Sequence, residues 1–119
     1  MSTPKAIANY QGNFSPAVPL NIPIGVKISS IITCKGQALV GILIPVQFTG
    51  ANLTFYTSQF VDGTFVQVFN KAGAVTYPVS AAQFVSIDPK DFLGIEFLQI
   101  RSDTNEAAER DFFVALKGI

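Results

Sequence analysis

The chain has 119 residues, enough for one domain with a buried core. Only 13% of the residues are charged, against about a quarter in an average soluble protein, and eight basic side chains balance eight acidic ones. The sequence shows no run or pole of basic residues, so we expect no nucleic-acid partner, since phosphate binding needs clustered Lys and Arg. A surface so poor in charge favours cover by protein partners, and a surface of uncharged polar side chains is the alternative.

Residues 1–24 differ from the rest because prolines interrupt every helical or strand pattern. The segment also carries apolar side chains that need burial. Its candidate partner-binding residues are Tyr10, Phe14, Leu20 and Ile22. We predict an extended N-terminal arm over residues 1–24, docked on its own domain or on a neighbouring subunit, and a β-sandwich domain over residues 25–119.

From residue 25 onward, short runs rich in β-branched and aromatic residues alternate with glycine- or proline-containing turns. The predicted strands are Val26–Cys34, Leu39–Ile44, Asn52–Ser58, Phe65–Phe69, Val75–Val79, Phe84–Ile87, Ile95–Arg101 and Asp111–Lys117. About eight short strands predict an all-β fold, an antiparallel sandwich. The polar segment 104–110 is too short for a stable helix, so we predict a loop or a single helical turn there.

Two predicted strands depart from simple alternation of apolar and polar residues. Leu39–Ile44 is apolar throughout, which predicts cover on both faces, by the second sheet together with the arm or by another subunit. Along Ile95–Arg101 the apolar positions change face in mid-strand, which predicts a bulge or burial on both sides.

The sequence contains no histidine, which removes the usual general base and the common nucleophile–histidine systems. The single cysteine, Cys34, is predicted to be a small core residue on a strand. Near the N-terminus no apolar signal segment is present, and the longest apolar run, residues 38–46, is too short to span a bilayer. We therefore expect no enzyme activity, no cofactor and no membrane partner.

Two groups of side chains offer alternatives with a ligand. The carboxylates of the last loop are Asp103, Glu106, Glu109 and Asp111, and they could form a calcium site, although their spacing matches no defined loop. We predict instead that they cap turns and keep the loop hydrated, with no metal bound. The aromatic residues around the central hairpins are Tyr56, Phe60, Phe65, Phe69 and Tyr77. They could form a carbohydrate platform, but core packing is the predicted role.

Four segments carry a family resemblance. The run from Leu39 to Phe55, Leu-Val-Gly-Ile-Leu-Ile-Pro-Val-Gln-Phe-Thr-Gly-Ala-Asn-Leu-Thr-Phe, resembles a group of small structural proteins of tailed bacteriophages. Asp62-Gly63-Thr64-Phe65 is similar to that group's turn into a strand, and Val85 to Gly94 is similar to its Leu-Asp-Pro-x-Asp-Phe-x-Gly segment. The stretch ending in Ile100-Arg101-Ser102 resembles the strand that closes the pattern. The resemblance covers residues 39–102.

This resemblance implies a jelly-roll-like sandwich on a virion, assembled in the host cytoplasm and displayed on the phage head. The implied role is a capsid decoration, or cement, protein that binds the major capsid protein and copies of itself, with a trimer as the expected oligomer. The motifs are turns, a proline kink and core positions, so they define no binding residues. A carbohydrate-binding module, or a component of a tail or fibre, is the alternative.

Overall fold

The computed structural model describes residues 17–118, and in this range the chain forms antiparallel sheets that pack as a sandwich. The strands are β1 (Val18–Ile22), β2 (Ile32–Thr33), β3 (Gln37–Leu43), β4 (Asn52–Ser58), β5 (Val66–Gln67), β6 (Phe69–Asn70), β7 (Gly73–Ala74), β8 (Thr76–Pro78), β9 (Phe84–Ser86), β10 (Phe97–Ser102) and β11 (Arg110–Gly118). A 3-10 helix spans Pro89–Phe92. The predicted all-β antiparallel sandwich is therefore confirmed.

The strands divide between two main sheets. Sheet A has the order β1-β11-β3-β9, and sheet B has the order β2-β10-β4-β5 with β8 also paired to β4. Strands β6 and β7 form a separate hairpin. Consecutive strands from β1 to β4, and again from β9 to β11, lie in alternate sheets, as in jelly-roll-like sandwiches. Within the described range, no helix is long and apolar enough to cross a membrane.

The core lies between the inner faces of the two sheets. Phe55 from sheet B and Phe112 from sheet A are fully buried, and burial of each such side chain contributes about 1.5–3 kcal/mol. The 3-10 helix adds Phe92, whose ring meets that of Phe55 edge to face with centroids 5.0 Å apart. Asp88 caps this helix by accepting a hydrogen bond from the Lys90 amide at 3.0 Å, which fixes the position of Phe92.

The first strand lies inside the segment that the sequence assigned to an irregular arm. Residues 18–22 pair along their whole length with β11, so the prediction that strands begin after residue 24 is wrong. Asn21 bonds away from β11, since its amide donates to Ser30 Oγ and its carbonyl accepts from the Ser30 amide. Pro19 has the same orientation and no N–H to leave unpaired, so proline is tolerated on this edge strand.

A bulge lies in strand β3, whereas the sequence pattern predicted one in the strand Ile95–Arg101. Its register with β11 shifts between Ala115 and Leu116, which leaves Val40 as an extra residue. Leu39 and Ile42 can therefore both face the core. Strand β10 begins two residues later than predicted, and its residues alternate regularly between buried and partly exposed positions. Its register with β4 has no shift, so the bulge predicted within this strand is absent.

Candidate functional site

An exposed apolar row crosses the outer face of sheet A. Pro19 of β1 pairs with Phe113 of β11, Phe113 pairs with Leu43 of β3, and Leu43 pairs with Phe84 of β9. Side chains paired in this way lie about 5 Å apart, so the four form one continuous row, here named the apolar row. Phe84 is 62% exposed, Leu43 44% and Phe113 42%. Nothing in residues 17–118 covers this row, so the cover of the outward side of β3 by the arm or by another subunit stays a prediction.

Gly41 makes room for the ring of Phe84. It lies on the outer face opposite Ala115 and next to Leu43, and a Cβ atom at this position would lie 2.2 Å from Cζ of Phe84. The Phe84 ring therefore rests on bare backbone. Small residues at two neighbouring positions flatten this part of the face, which widens the apolar surface that a partner could contact.

One end of the apolar row has an acidic rim. The Asn21 side-chain amide donates to Asp111 Oδ1 at 2.8 Å and to Glu109 Oε1 at 3.1 Å, which holds the two carboxylates together. Within residues 17–118 the single ion pair joins Arg110 to Glu106, so neither rim carboxylate is paired with a described cation. The rim therefore presents negative charge beside an apolar surface.

The outer face of sheet B is polar at its centre, with the exposed side chain of Ile28 paired to Arg101 at one edge. Tyr56 of β4 pairs with Gln99 on one side and with Gln67 on the other, and Thr54 pairs with Arg101. The Arg101 guanidinium lies 5.9 Å from the centre of the Tyr56 ring, a cation–π distance. The ring thus already has an intramolecular partner. We name this surface the polar face.

Glu106 forms a buried network that sequence analysis missed. Its carboxylate accepts hydrogen bonds from the Thr49 amide at 3.0 Å, the Thr49 hydroxyl at 2.7 Å and the Thr104 hydroxyl at 2.9 Å, and it binds Arg110 Nε at 2.8 Å. Burial raises the pKa of Glu106, but the hydrogen bonds from Thr49, Arg110 and Thr104 outweigh it and the net pKa lies below the usual value. The network joins the β3–β4 loop to the β10–β11 loop and so ties the two sheets together.

The other acidic side chains are dispersed among separate backbone and side-chain partners. Asp103 accepts a hydrogen bond from the Ala51 amide at 3.0 Å. Asp88 caps the 3-10 helix, and Asp91 accepts from Asn70. Among residues 17–118 no group of three or more carboxylate or thiol side chains is placed to hold a metal ion. The prediction that the last-loop carboxylates keep the loop hydrated is wrong for Glu106, which is 3% exposed.

The aromatic residues considered for a carbohydrate platform do not share one surface. Tyr77 is half-buried and packs edge to face on Phe55, with centroids 6.0 Å apart, while its hydroxyl accepts a hydrogen bond from the Asp88 amide. Phe60 and Phe69 are exposed, on a loop and on the β6–β7 hairpin respectively. Tyr56 belongs to the polar face.

Of the four predicted partner-binding residues, two are buried in the core and two lie outside the described residues. Leu20 and Ile22 lie in β1 with exposures of 1% and 0%, so they pack in their own core and are not free to bind a neighbour. Their burial follows from the alternation of β1, which the nearby prolines concealed. Tyr10 and Phe14 lie outside the described residues.

Cys34 lies directly after β2 and is buried in the core, as predicted. Burial, with a smaller contribution from Glu96, raises the pKa of its thiol to about 11. The thiol is therefore protonated near neutral pH.

Comparison of the chain with protein-family models, with curated proteins and with solved structures gives no match.

Proposed function

We propose that this chain is a non-enzymatic structural protein of a virion, a capsid decoration protein that stabilises a phage head through protein–protein contacts. The observation that carries the proposal is the apolar row, three of whose side chains are large and more than 40% exposed. Burying such a surface against a neighbour stabilises an assembly by about 25 cal/mol for each square ångström removed from water. The proposed partners are the major capsid protein and further copies of the chain, most simply as a trimer.

Two further observations support the same proposal. The low charge fits a protein whose surface is partly covered when it works, because charged residues are depleted at the centres of protein interfaces. The resemblance of residues 39–102 to small structural proteins of tailed phages is the reason for proposing a virion location and the head as the site of assembly.

The test uses virions of the phage that carries the gene. The two variants Phe84→Ser and Phe69→Ser make a matched pair, since their phenylalanines are 62% and 64% exposed but only Phe84 lies in the apolar row. We expect Phe84→Ser to lower the number of copies per head at least severalfold and Phe69→Ser to leave it unchanged, as counted by quantitative mass spectrometry. A wild-type protein missing from virions would contradict the proposal.

A second function, carbohydrate binding on a tail or at a cell surface, is favoured by one observation. The polar face combines an aromatic ring with the hydrogen-bonding side chains of Gln67, Gln99 and Arg101. In this case a glycan array would show binding that Tyr56→Ala abolishes and Phe84→Ser preserves. Gold-labelled antibody would then mark the tail in electron micrographs, whereas the decoration proposal expects label over the head.

A further inference from the structure

Strand β9 forms an edge of sheet A, and its outward backbone groups are unpaired. The Ile44 amide donates to the Gln83 carbonyl, so Gln83 and every second residue after it turn their backbone groups toward β3. Phe84 and Ser86 therefore direct their N–H and C=O groups away from the sheet. Within residues 17–118 these groups have no hydrogen-bond partner.

The opposite edge of sheet A, strand β1, is closed to pairing. Pro19 has no N–H group to offer, and the outward amide and carbonyl of Asn21 are both bonded to Ser30. The β9 strand of one copy therefore has no complementary β1 edge on the next copy. Head-to-tail pairing of A sheets is excluded, and the partner of β9 has to be another open edge.

The β9 edge also lacks the usual protection against pairing. Exposed edge strands commonly carry a charged residue or a proline that keeps other strands away. The residues from Val79 to Ile87 include neither a charge nor a proline. Phe84 and Val85 are, in addition, residue types that favour strands. This edge is short but built to accept a further strand.

The outward groups of β9 are complementary to those of a second copy of β9. In an antiparallel pair about a two-fold axis beside Val85, Phe84 lies opposite Ser86 of the second copy, so donors meet acceptors in both directions. On the outer face a large side chain then meets a small one. The next charged residue along the chain, Asp88, lies near Ala82 of the second copy, so no like charges meet.

We propose that β9 pairs with β9 of a second copy of this chain and joins the two A sheets into one continuous sheet. The two-fold axis is perpendicular to the sheet, so both apolar rows lie on the same side of it. A partner bound there meets a doubled apolar surface. The pairing uses the edge and leaves the outer face open, so this inference goes beyond the proposed function and does not depend on it.

The first test removes one outward N–H group. Ser86→Pro deletes a donor that does not belong to the ladder with β3, and proline is tolerated at such edge positions. Gln67→Pro is the matched control, because the Val68 amide donates to the Phe55 carbonyl and Gln67 therefore also directs its N–H outward, from the edge strand β5.

The association of the free, full-length chain is measured by analytical ultracentrifugation over a range of concentrations. We expect the wild type and Gln67→Pro to associate equally, and Ser86→Pro to raise the dissociation constant by about tenfold or more, since a hydrogen bond is lost at each of two symmetric positions. Equal association of Ser86→Pro and the wild type would overturn the proposal, as would a wild type that stays monomeric at millimolar concentration.

The second test reads the register and holds even if Ser86→Pro does not fold. Val85 faces Val85 of the second copy as a non-hydrogen-bonded pair with Cα atoms about 4.5 Å apart, which is within the range of a disulfide. We expect Val85→Cys to form a covalent dimer under mild oxidation, while the native Cys34 stays reduced because it is buried.

Val66→Cys, on the β5 edge, is the control for random collision. Val66 is 60% exposed whereas Val85 is half-buried, so collision alone would cross-link Val66→Cys faster. No covalent dimer of Val85→Cys, or a slower cross-link than that of Val66→Cys, would overturn the proposal. Both tests use the free chain and the proposed function is tested on virions, so failure of one is distinguishable from failure of the other.

Discussion

The two outer faces of the sandwich have the same pleated geometry and opposite chemistry. On sheet A, Pro19, Phe113, Leu43 and Phe84 form the apolar row. On sheet B, the central outward positions hold Tyr56, Gln67, Gln99 and Arg101, and the exposed Ile28 lies beside Arg101 at the edge. The outward positions of a solvated sheet face are normally polar, as they are at the centre of sheet B. The contiguous apolar row on sheet A is therefore the surface better suited to bind a partner.

The largest expected effect comes from the buried Glu106 network, which ties the two sheets together. Glu106→Gln removes the charge that pairs with Arg110 and leaves a buried guanidinium without its partner. We expect the free energy of unfolding to fall by about 3 kcal/mol, measured by urea denaturation. Glu109→Gln is the matched control, since this carboxylate lies three residues away but is exposed, and it should change stability by less than about 0.5 kcal/mol.

The same network predicts a loss of stability in acid. The folded-state pKa of Glu106 lies below the ordinary value of 4.5, so its stabilisation is present above the pKa of the unfolded chain. This stabilisation is lost as the pH falls through the folded-state pKa. Thermal unfolding followed below pH 4.5 should therefore show a steeper decline for the wild type than for Glu106→Gln. Parallel curves would mean that Glu106 does not carry the acid sensitivity.

Gly41→Ala tests the construction of the apolar face. The added Cβ atom would collide with Cζ of Phe84, so this exposed ring must rotate away, and we expect the free energy of unfolding to fall by no more than about 1 kcal/mol. The double variant Gly41→Ala with Phe84→Ser removes the collision. A double-mutant cycle should therefore show strong coupling, and additive effects would place the Phe84 ring elsewhere.

The smallest effect is expected on the polar face. Arg101→Ala removes the cation–π contact with Tyr56, which is partly exposed, and should cost about 0.5 to 1 kcal/mol in urea unfolding. Arg101→Lys is the control, because a lysine retains a positive charge near the ring. If Arg101→Ala affected assembly on virions more than Phe84→Ser does, the assignment of roles to the two faces would be reversed.

The sequence predicted the strands better than the surfaces. Strand β4 has the predicted bounds, Asn52–Ser58, because its β-branched and aromatic residues lie between clear turns. Strand β1 was missed because Pro19 signals irregular backbone, and only the pairing with β11 reveals that this position is an edge. Predicted strand Val26–Cys34 is reduced to β2 and a bridge at Ile28.

Sequence patterns could not predict the candidate site, because its residues come from strands that are far apart in the sequence. The members of the apolar row come from four strands, and their alignment depends on register and on the bulge at Val40. Likewise, Glu106 meets Thr49 across 57 residues of sequence, so the loop composition alone suggested a hydrated carboxylate. Long-range pairing decides which side chains share a face, and no local pattern encodes it.

The most direct measurement is cryo-electron microscopy of virions that contain the protein. The account predicts the chain on the outside of the head, with Leu43, Phe84 and Phe113 buried against a neighbouring subunit and the polar face of Tyr56 and Arg101 turned to solvent. A reconstruction in which the apolar row faces solvent while the polar face contacts the lattice would contradict the central claim.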